Sequence, residues 1–232
     1  MYNSLSVLGL LWIPCLLCGQ PSSLLGRVNS APAVEQYRIV KELQKFSPAD
    51  FTSSDLNTLE TILTAETTFH RDRFYLLAGY LGMEEELRIV PPELRETEKL
   101  KRSHGLAMVR AGNEFRRNQL VGKINTLDYN DEFTYDIVPL LIYTHDREVY
   151  DYLIELTLQP NNNCEPPDPH VTGNIDCGYR MMEYLAPVLK DYPFQVGPSG
   201  DLEVENYRKA LIETREWLRR HRSDYEIVEG AY

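Results

Sequence analysis

Two neighbouring stretches give the clearest indication of the fold, LAMVRAGNEFRRNQLVGKINTL at residues 106–127 and IVPLLIYTHDREVYDYLIEL at residues 137–156. Each stretch contains a helical segment, a short break and a second helical segment, and the breaks fall at Gly112 and at His145. In both stretches apolar residues recur every three or four positions, which places them on one side of a helix. A hairpin of two such helices leaves part of its apolar side uncovered, so each hairpin needs a neighbour.

The same periodicity continues outward from this region. From residue 33 onward the apolar spacing is helical, and no stretch keeps the alternation of a β-strand. The predicted helices cover approximately residues 33–46, 55–64, 69–86, 93–111, 114–124, 132–143, 146–158, 177–190 and a last stretch from 201 or 203 to 222. A shift of 34 residues aligns Leu106 with Leu140 and Phe115 with Val149, as expected for helical repeats. The sequence therefore predicts an all-α fold, a solenoid-like array of antiparallel helical hairpins.

The unit at residues 106–127, followed by residues 137–156, resembles the HEAT/armadillo-like α-solenoid repeats. It looks like the repeats of poorly characterised exported bacterial envelope proteins, including lipoproteins, and the likeness covers roughly residues 69–222. The tetratricopeptide pattern is a worse fit because its Trp, Leu-Gly, Tyr and terminal Pro markers are missing. The resemblance implies a binding surface or scaffold and identifies no catalytic residue.

The N-terminus indicates export. Residues 1–19 read MYNSLSVLGLLWIPCLLCG, without a charged side chain, and the apolar run at residues 5–17 is too short to cross a bilayer. Its length is that of the hydrophobic region of a secretory signal. We therefore predict a signal peptide at residues 1–19 and a linker at residues 20–32. Lipid attachment at Cys18 remains an alternative to simple cleavage, since the preceding residues resemble a lipoprotein signal in part.

The composition narrows the choice of partners. The chain has 232 residues, of which 35 are acidic and 24 basic, for a formal net charge of −11. This charge repels nucleic acid, and we interpret the basic clusters at residues 99–102 and 215–222 as solvated helix faces. The repeat domain is predicted at residues 33–222, followed by an acidic tail at residues 223–232.

The segment NNNCEPPDPHVTGNIDCGYR, residues 161–180, interrupts the helical pattern. Without the leader the chain keeps two cysteines, Cys164 and Cys177, and an even count in an exported protein predicts a disulfide between them. A zinc site that adds His170 is an alternative, but it needs a fourth ligand and a reducing compartment. A calcium site is a further alternative, although the usual DxDxDG pattern is absent. Its ligands would be Asp168, Asn174 and Asp176.

Two other groups of residues have the composition of a binding site. His70, His104 and His145 have acidic neighbours and roughly repeat-length spacing, but they occupy different phases of their helices and predict no shared metal site. Those acidic neighbours are Asp72, Asp146 and Glu148. A sugar-binding face is a further alternative, although tyrosines more often bridge core and solvent. Its residues would be Tyr143, Tyr150 and Tyr152.

We therefore predict a non-catalytic binding or scaffold protein of the bacterial cell envelope, without a cofactor or metal. It would present the second helices of its hairpins, residues 114–124 and 146–158, to a protein or peptide. One alternative is an envelope hydrolase, which requires His104 or His145 to be buried beside acidic residues. Another is a cytosolic regulatory solenoid whose apolar N-terminus is a packed helix.

Overall fold

The chain folds into consecutive short helices. A computed structural model describes residues 20–167, 170, 172–228 and 230, and these contain no β-strand, only three isolated antiparallel bridges. The all-α prediction is confirmed for this part of the chain. The helices are α1 (Pro21–Leu25), α2 (Ala33–Leu43), α3 (Ser53–Thr64), α4 (Arg71–Tyr80), α5 (Glu84–Arg88), α6 (Glu98–Arg110), α7 (Glu114–Ile124), α8 (Val138–Tyr143), α9 (Arg147–Leu158), α10 (Gly178–Leu185) and α11 (Tyr207–His221).

Short polar residues begin five of the longer helices. Their side-chain oxygens accept hydrogen bonds from backbone N–H groups of the first turn, which have no partner within the helix. Thr52 caps α3, Thr97 caps α6 and Asn113 caps α7. Asp146 caps α9 and Asn206 caps α11. The starts of these five helices are therefore fixed by the local sequence.

Glycine and proline account for three differences from the predicted helices. The single helix predicted at residues 69–86 is divided into α4 and α5, because Gly82 adopts a φ of 72°. The helix predicted at residues 132–143 contains a π-helical turn at Phe133–Ile137, which ends two residues before Pro139, whose nitrogen has no hydrogen to donate. The helix predicted to reach residue 190 ends at Leu185, two residues before Pro187.

The ends of the described chain are packed, contrary to two predictions. Residues 20–32, predicted as a linker, form α1 and a 3₁₀ turn, and bury Leu24, Leu25 and Val28. In the predicted acidic tail, Tyr225 is buried, and the backbone N–H of Val228 donates to the carbonyl of Val188. Both segments contain enough apolar side chains to join the core, which their polar flanking residues obscure in the sequence.

The helices pack in chain order, mostly against neighbours one or two places away. Helices α2, α4, α6, α8 and α10 form one series of contacts, and α7, α9 and α11 form a second series beside it. The buried residues of one hydrophobic cluster come from the chain between positions 24 and 108, and those of a second come from positions 124 to 225. Helix α6 contributes to the first cluster and also contacts α7 and α8, so it connects the two halves.

No helix in the described ranges has both the length and the apolar character needed to cross a bilayer. The predicted signal peptide at residues 1–19, with the lipidation candidate Cys18, lies outside the described residues.

Candidate functional site

The segment between α9 and α10, which we call the cysteine loop, is closed by a disulfide between Cys164 and Cys177. Their Sγ atoms are 2.06 Å apart, both residues are buried, and backbone hydrogen bonds join Cys164 to Ile175 in both directions. In the chain-entropy model a bridge of this span contributes about 3 kcal/mol to stability. Because both sulfurs are in the disulfide, the alternative zinc site with His170 is not formed. This loop holds α10 against the core.

Arg215 in α11 reinforces the same loop. Its guanidinium lies 2.7 Å from the carboxylate of Asp176, and both side chains are 12% exposed. It also donates to the carbonyls of Thr157 and Gln159 at the end of α9. The interpretation of residues 215–222 as a solvated face is therefore wrong at Arg215. Asp176 is occupied by this ion pair, and Asp168, its partner in the alternative calcium site, lies outside the described residues.

His104 is buried, and the charged residues that act on it within the described part of the chain are Arg95 and Arg116. Its Nε2 lies 2.8 Å from the carbonyl of Leu87, and its ring packs edge-on against Tyr75. Burial lowers the pKa of His104; the bond to Leu87 opposes that shift, whereas the nearby Arg95 and Arg116 add to it. The imidazole is therefore neutral at pH 7 and donates from Nε2. The hydrolase alternative requires acidic residues beside His104, but the charged residues that act on its ring are Arg95 and Arg116.

The other two histidines lie elsewhere. The ring of His70, at the start of α4, contacts Tyr37, and the ring of His145 contacts Tyr150. Asp146 is used as the cap of α9. Over the described ranges, no group of three or more His, Cys, Asp or Glu residues is arranged to hold a metal ion.

The three tyrosines of the alternative sugar-binding face hydrogen-bond within the fold. The hydroxyl of Tyr143 donates to Leu76, that of Tyr150 to Ile142, and that of Tyr152 to Ile124, each to a backbone carbonyl. Tyr150 is fully buried. These side chains join helices and do not form a sugar-binding face.

One candidate binding surface lies between α6 and α7. The structure describes every residue of α7, and of these only Ile124 is buried. Phe115 is 67% exposed. The helices that pack against α7 are α6 and α9. A groove of about 480 Å³ runs between α6 and α7, and we call it the α6–α7 groove. It is lined by Glu98, Lys99, Lys101, Arg102, Gly105, Leu106 and Val109 of α6 and by Arg116, Gln119, Leu120 and Lys123 of α7.

A second cavity of about 300 Å³ adjoins the groove. The two share Lys101 and Arg116, and the second cavity is also lined by Pro92, Arg95 and His104. The Nε of Arg95 is buried without a hydrogen-bond partner. Basic side chains thus predominate over the groove and its extension, in a chain whose net charge is −11.

Sequence reasoning missed this site because its charges come from two helices. Residues 99–102 alone suggested a solvated face, and residues 116 and 123 had no evident relation to them. The available signal was the tight turn between α6 and α7. In an antiparallel hairpin, residues equidistant from the turn face each other, and Arg102 precedes Gly112 by as many residues as Lys123 follows Asn113.

No protein-family model, curated protein or solved structure matches the chain.

Proposed function

We propose that this chain is a non-catalytic binding or scaffold protein of the bacterial cell envelope, and that the α6–α7 groove binds a protein or peptide partner. The single observation that carries the proposal is the exposure of α7. A helix of eleven residues that buries one residue and exposes a phenylalanine contributes little to the core. The groove beside this exposed helix offers a partner a concave surface with both apolar and charged side chains.

The order of helix contacts supports a solenoid-like arrangement. The contacts of α4 with α6, α6 with α8 and α8 with α10, together with those of α7, α9 and α11, correspond to hairpins stacked in series. A HEAT-like origin of these hairpins remains our proposal from the resemblance of residues 106–156. In such arrays each unit contacts mainly its neighbours, and the exposed helices form extended binding surfaces.

The disulfide between buried Cys164 and Cys177 favours an oxidising compartment, because cytosolic thiols are kept reduced. With the apolar leader at residues 1–19, it supports export to the periplasm or outer envelope, with attachment through Cys18 as the lipid-anchored form.

The hydrolase alternative has less support. The buried histidine, His104, faces a carbonyl and two arginines instead of a carboxylate that could orient it as a base.

Site-specific photo-crosslinking in the native cells tests the proposal. A photoreactive amino acid replaces Phe115 beside the groove or, as a matched control, Val34 in α2. The two positions are 67% and 66% exposed, so they meet solvent and abundant proteins equally. We expect one recurrent crosslinked protein from position 115 and none of that mass from position 34. Identical labelling from both positions, or none from position 115, would contradict the proposal.

A further inference from the structure

Four cations at the α6–α7 groove and its adjoining cavity have no carboxylate within ion-pair distance among the described residues. Across the described residues, Arg95, Arg102, Arg116 and Lys123 make no ion pair, although acidic residues outnumber basic ones 35 to 24. The one acid on the groove, Glu98, is bound by Lys101 at 2.8 Å and also interacts electrostatically with Lys123 at longer range. Uncompensated like charges repel one another, and an anionic ligand would relieve that repulsion.

The shape of the groove suits a helix. From Glu98 to Val109 it follows α6 for about 16 Å, or three turns, and α7 lies antiparallel along its other side. Its lining includes Leu106, Val109 and Leu120, and Gly105 carries no side chain that would hinder close approach. Ridges of side chains on an incoming helix pack into a groove between two helices in this way.

The cations flank these apolar residues. Arg102 and Lys123 are exposed on opposite helices, and Arg116 lies where the groove meets the second cavity. The combination of an apolar floor with basic edges matches a helix that has one apolar face with acidic residues on both sides of it.

We propose that the α6–α7 groove binds an acidic amphipathic helix of a partner protein. The inference rests on the proposed function and adds the chemistry of the partner. Acidic side chains of that helix pair with Arg102 and Lys123, and its apolar residues cover Leu106, Val109 and Leu120. The cavity beside His104 receives a further carboxylate between Arg95 and Arg116.

An anionic membrane is the main competing ligand for a basic surface. The geometry favours a helix because the unpaired cations line a concave groove between two helices, which a flat bilayer surface cannot enter. Phe115, at the start of α7, is a single exposed aromatic side chain and not a broad apolar face.

The test uses the full chain and a synthetic helical peptide of about 14 residues, four turns, with leucines on one face and glutamates on both flanks. Arg102→Glu combined with Lys123→Glu reverses two exposed, unpaired charges and should leave the fold intact, which circular dichroism checks. Arg38→Glu with Lys209→Glu is the matched control, with the same change of net charge on exposed side chains of α2 and α11. Affinity is measured by fluorescence anisotropy at low and high salt.

We expect the Arg102/Lys123 variant to weaken peptide binding about tenfold or more, and the Arg38/Lys209 variant to change it less than about threefold. A second peptide with lysines in place of the glutamates should bind the Arg102/Lys123 variant better than it binds the native chain. A peptide affinity that depends neither on salt concentration nor on the charge reversal would overturn the inference. The inference would also be overturned if the peptide did not bind and the native chain bound phosphatidylglycerol-containing vesicles through the same two residues.

The outcomes for the two proposals are separable. A partner crosslinked from position 115 and captured equally by the native chain and the Arg102/Lys123 variant would leave the proposed function intact and refute the acidic helix. Peptide binding that depends on these two residues, without any crosslinked partner, would support the groove chemistry and contradict the proposed function in those cells.

Discussion

At the scale of single residues, the close packing of α4 on α6 depends on Gly79. A Cβ atom at this position would lie 2.6 Å from the Cα of Ala107 and 2.5 Å from the hydroxyl oxygen of Tyr143. That hydroxyl donates to the carbonyl of Leu76 at 2.7 Å, so it is held in place. The sequence marks Ala78-Gly79 as a pair of small residues, but which helix approaches them follows only from the fold.

Gly79→Ala should therefore destabilise the protein by about 1–3 kcal/mol, because the added methyl group forces α4 and α6 apart. Gly122→Ala is the matched control. Gly122 also lies inside a helix, but no atom lies within 4 Å of its added Cβ, so alanine should stabilise the protein by up to about 1 kcal/mol through helix propensity. Urea unfolding measures both. Equal effects of the two substitutions would mean that the close approach has no energetic importance.

At the scale of secondary-structure elements, the start of α3 depends on a titratable cap. Asp55 accepts hydrogen bonds from the backbone N–H and the hydroxyl of Thr52, and Thr52 caps the helix in return. Burial raises the pKa of Asp55, but hydrogen bonds from Ser22 and Thr52 outweigh this effect, and the pKa lies below its ordinary value of 3.8. The folded state therefore favours the charged carboxylate.

This shift makes part of the stability pH-dependent. A carboxylate with a lowered folded-state pKa adds stability above its unfolded pKa, and that stability is lost as the pH falls through the folded value. Asp55→Asn should cost about 1–2 kcal/mol near neutral pH, and the cost should shrink below about pH 4. Asn206→Ala removes the uncharged cap of α11 and should cost a similar amount at every pH. Unfolding titrations from pH 7 to pH 3 compare them, and a constant cost for Asp55→Asn would refute the linkage.

The elements were predictable where one local signal governs them. Gly112 and Asn113 gave the start of α7 correctly, and Asp146 gave the start of α9. The π-helical turn before Pro139 was not predictable, because a proline in a helical pattern can also end or kink the helix. Nor was the α6–α7 groove, since it depends on which face of α7 the neighbouring helices leave uncovered.

At the scale of the whole molecule, Arg110 contacts one helix from each of the two hydrophobic clusters described above. Its guanidinium carbon lies 5.2 Å from the ring centre of Tyr80 in α4 and 5.4 Å from that of Tyr143 in α8. It also donates to the carbonyl of Tyr143 at 2.6 Å. One side chain of α6 thereby links a helix of the first cluster to a helix of the second, and sequence periodicity contains no signal for this junction.

Because Arg110 joins the halves, its removal should reduce the cooperativity of unfolding as well as stability. Arg110→Met keeps the apolar stem but removes the charge and its hydrogen bond, at a cost of about 2 kcal/mol. Native-state hydrogen exchange measures the opening free energies of α3, in the first cluster, and α9, in the second. In the native chain we expect equal values for the slowest amides of both helices. In Arg110→Met they should differ by about 1 kcal/mol or more, since each cluster then opens separately.

Arg147 provides the control for this experiment. Like Arg110, it lies over a tyrosine ring, that of Tyr225 at 3.5 Å, and donates to that residue's carbonyl. It also forms an ion pair with Asp151, and all these partners belong to the C-terminal half. Arg147→Met should lower the opening free energies of α3 and α9 by the same amount, because the junction stays intact. If Arg110→Met also lowered both equally, the clusters would be coupled through the wider contact of α4 with α6 and α8, and Arg110 would be one stabilising contact among many.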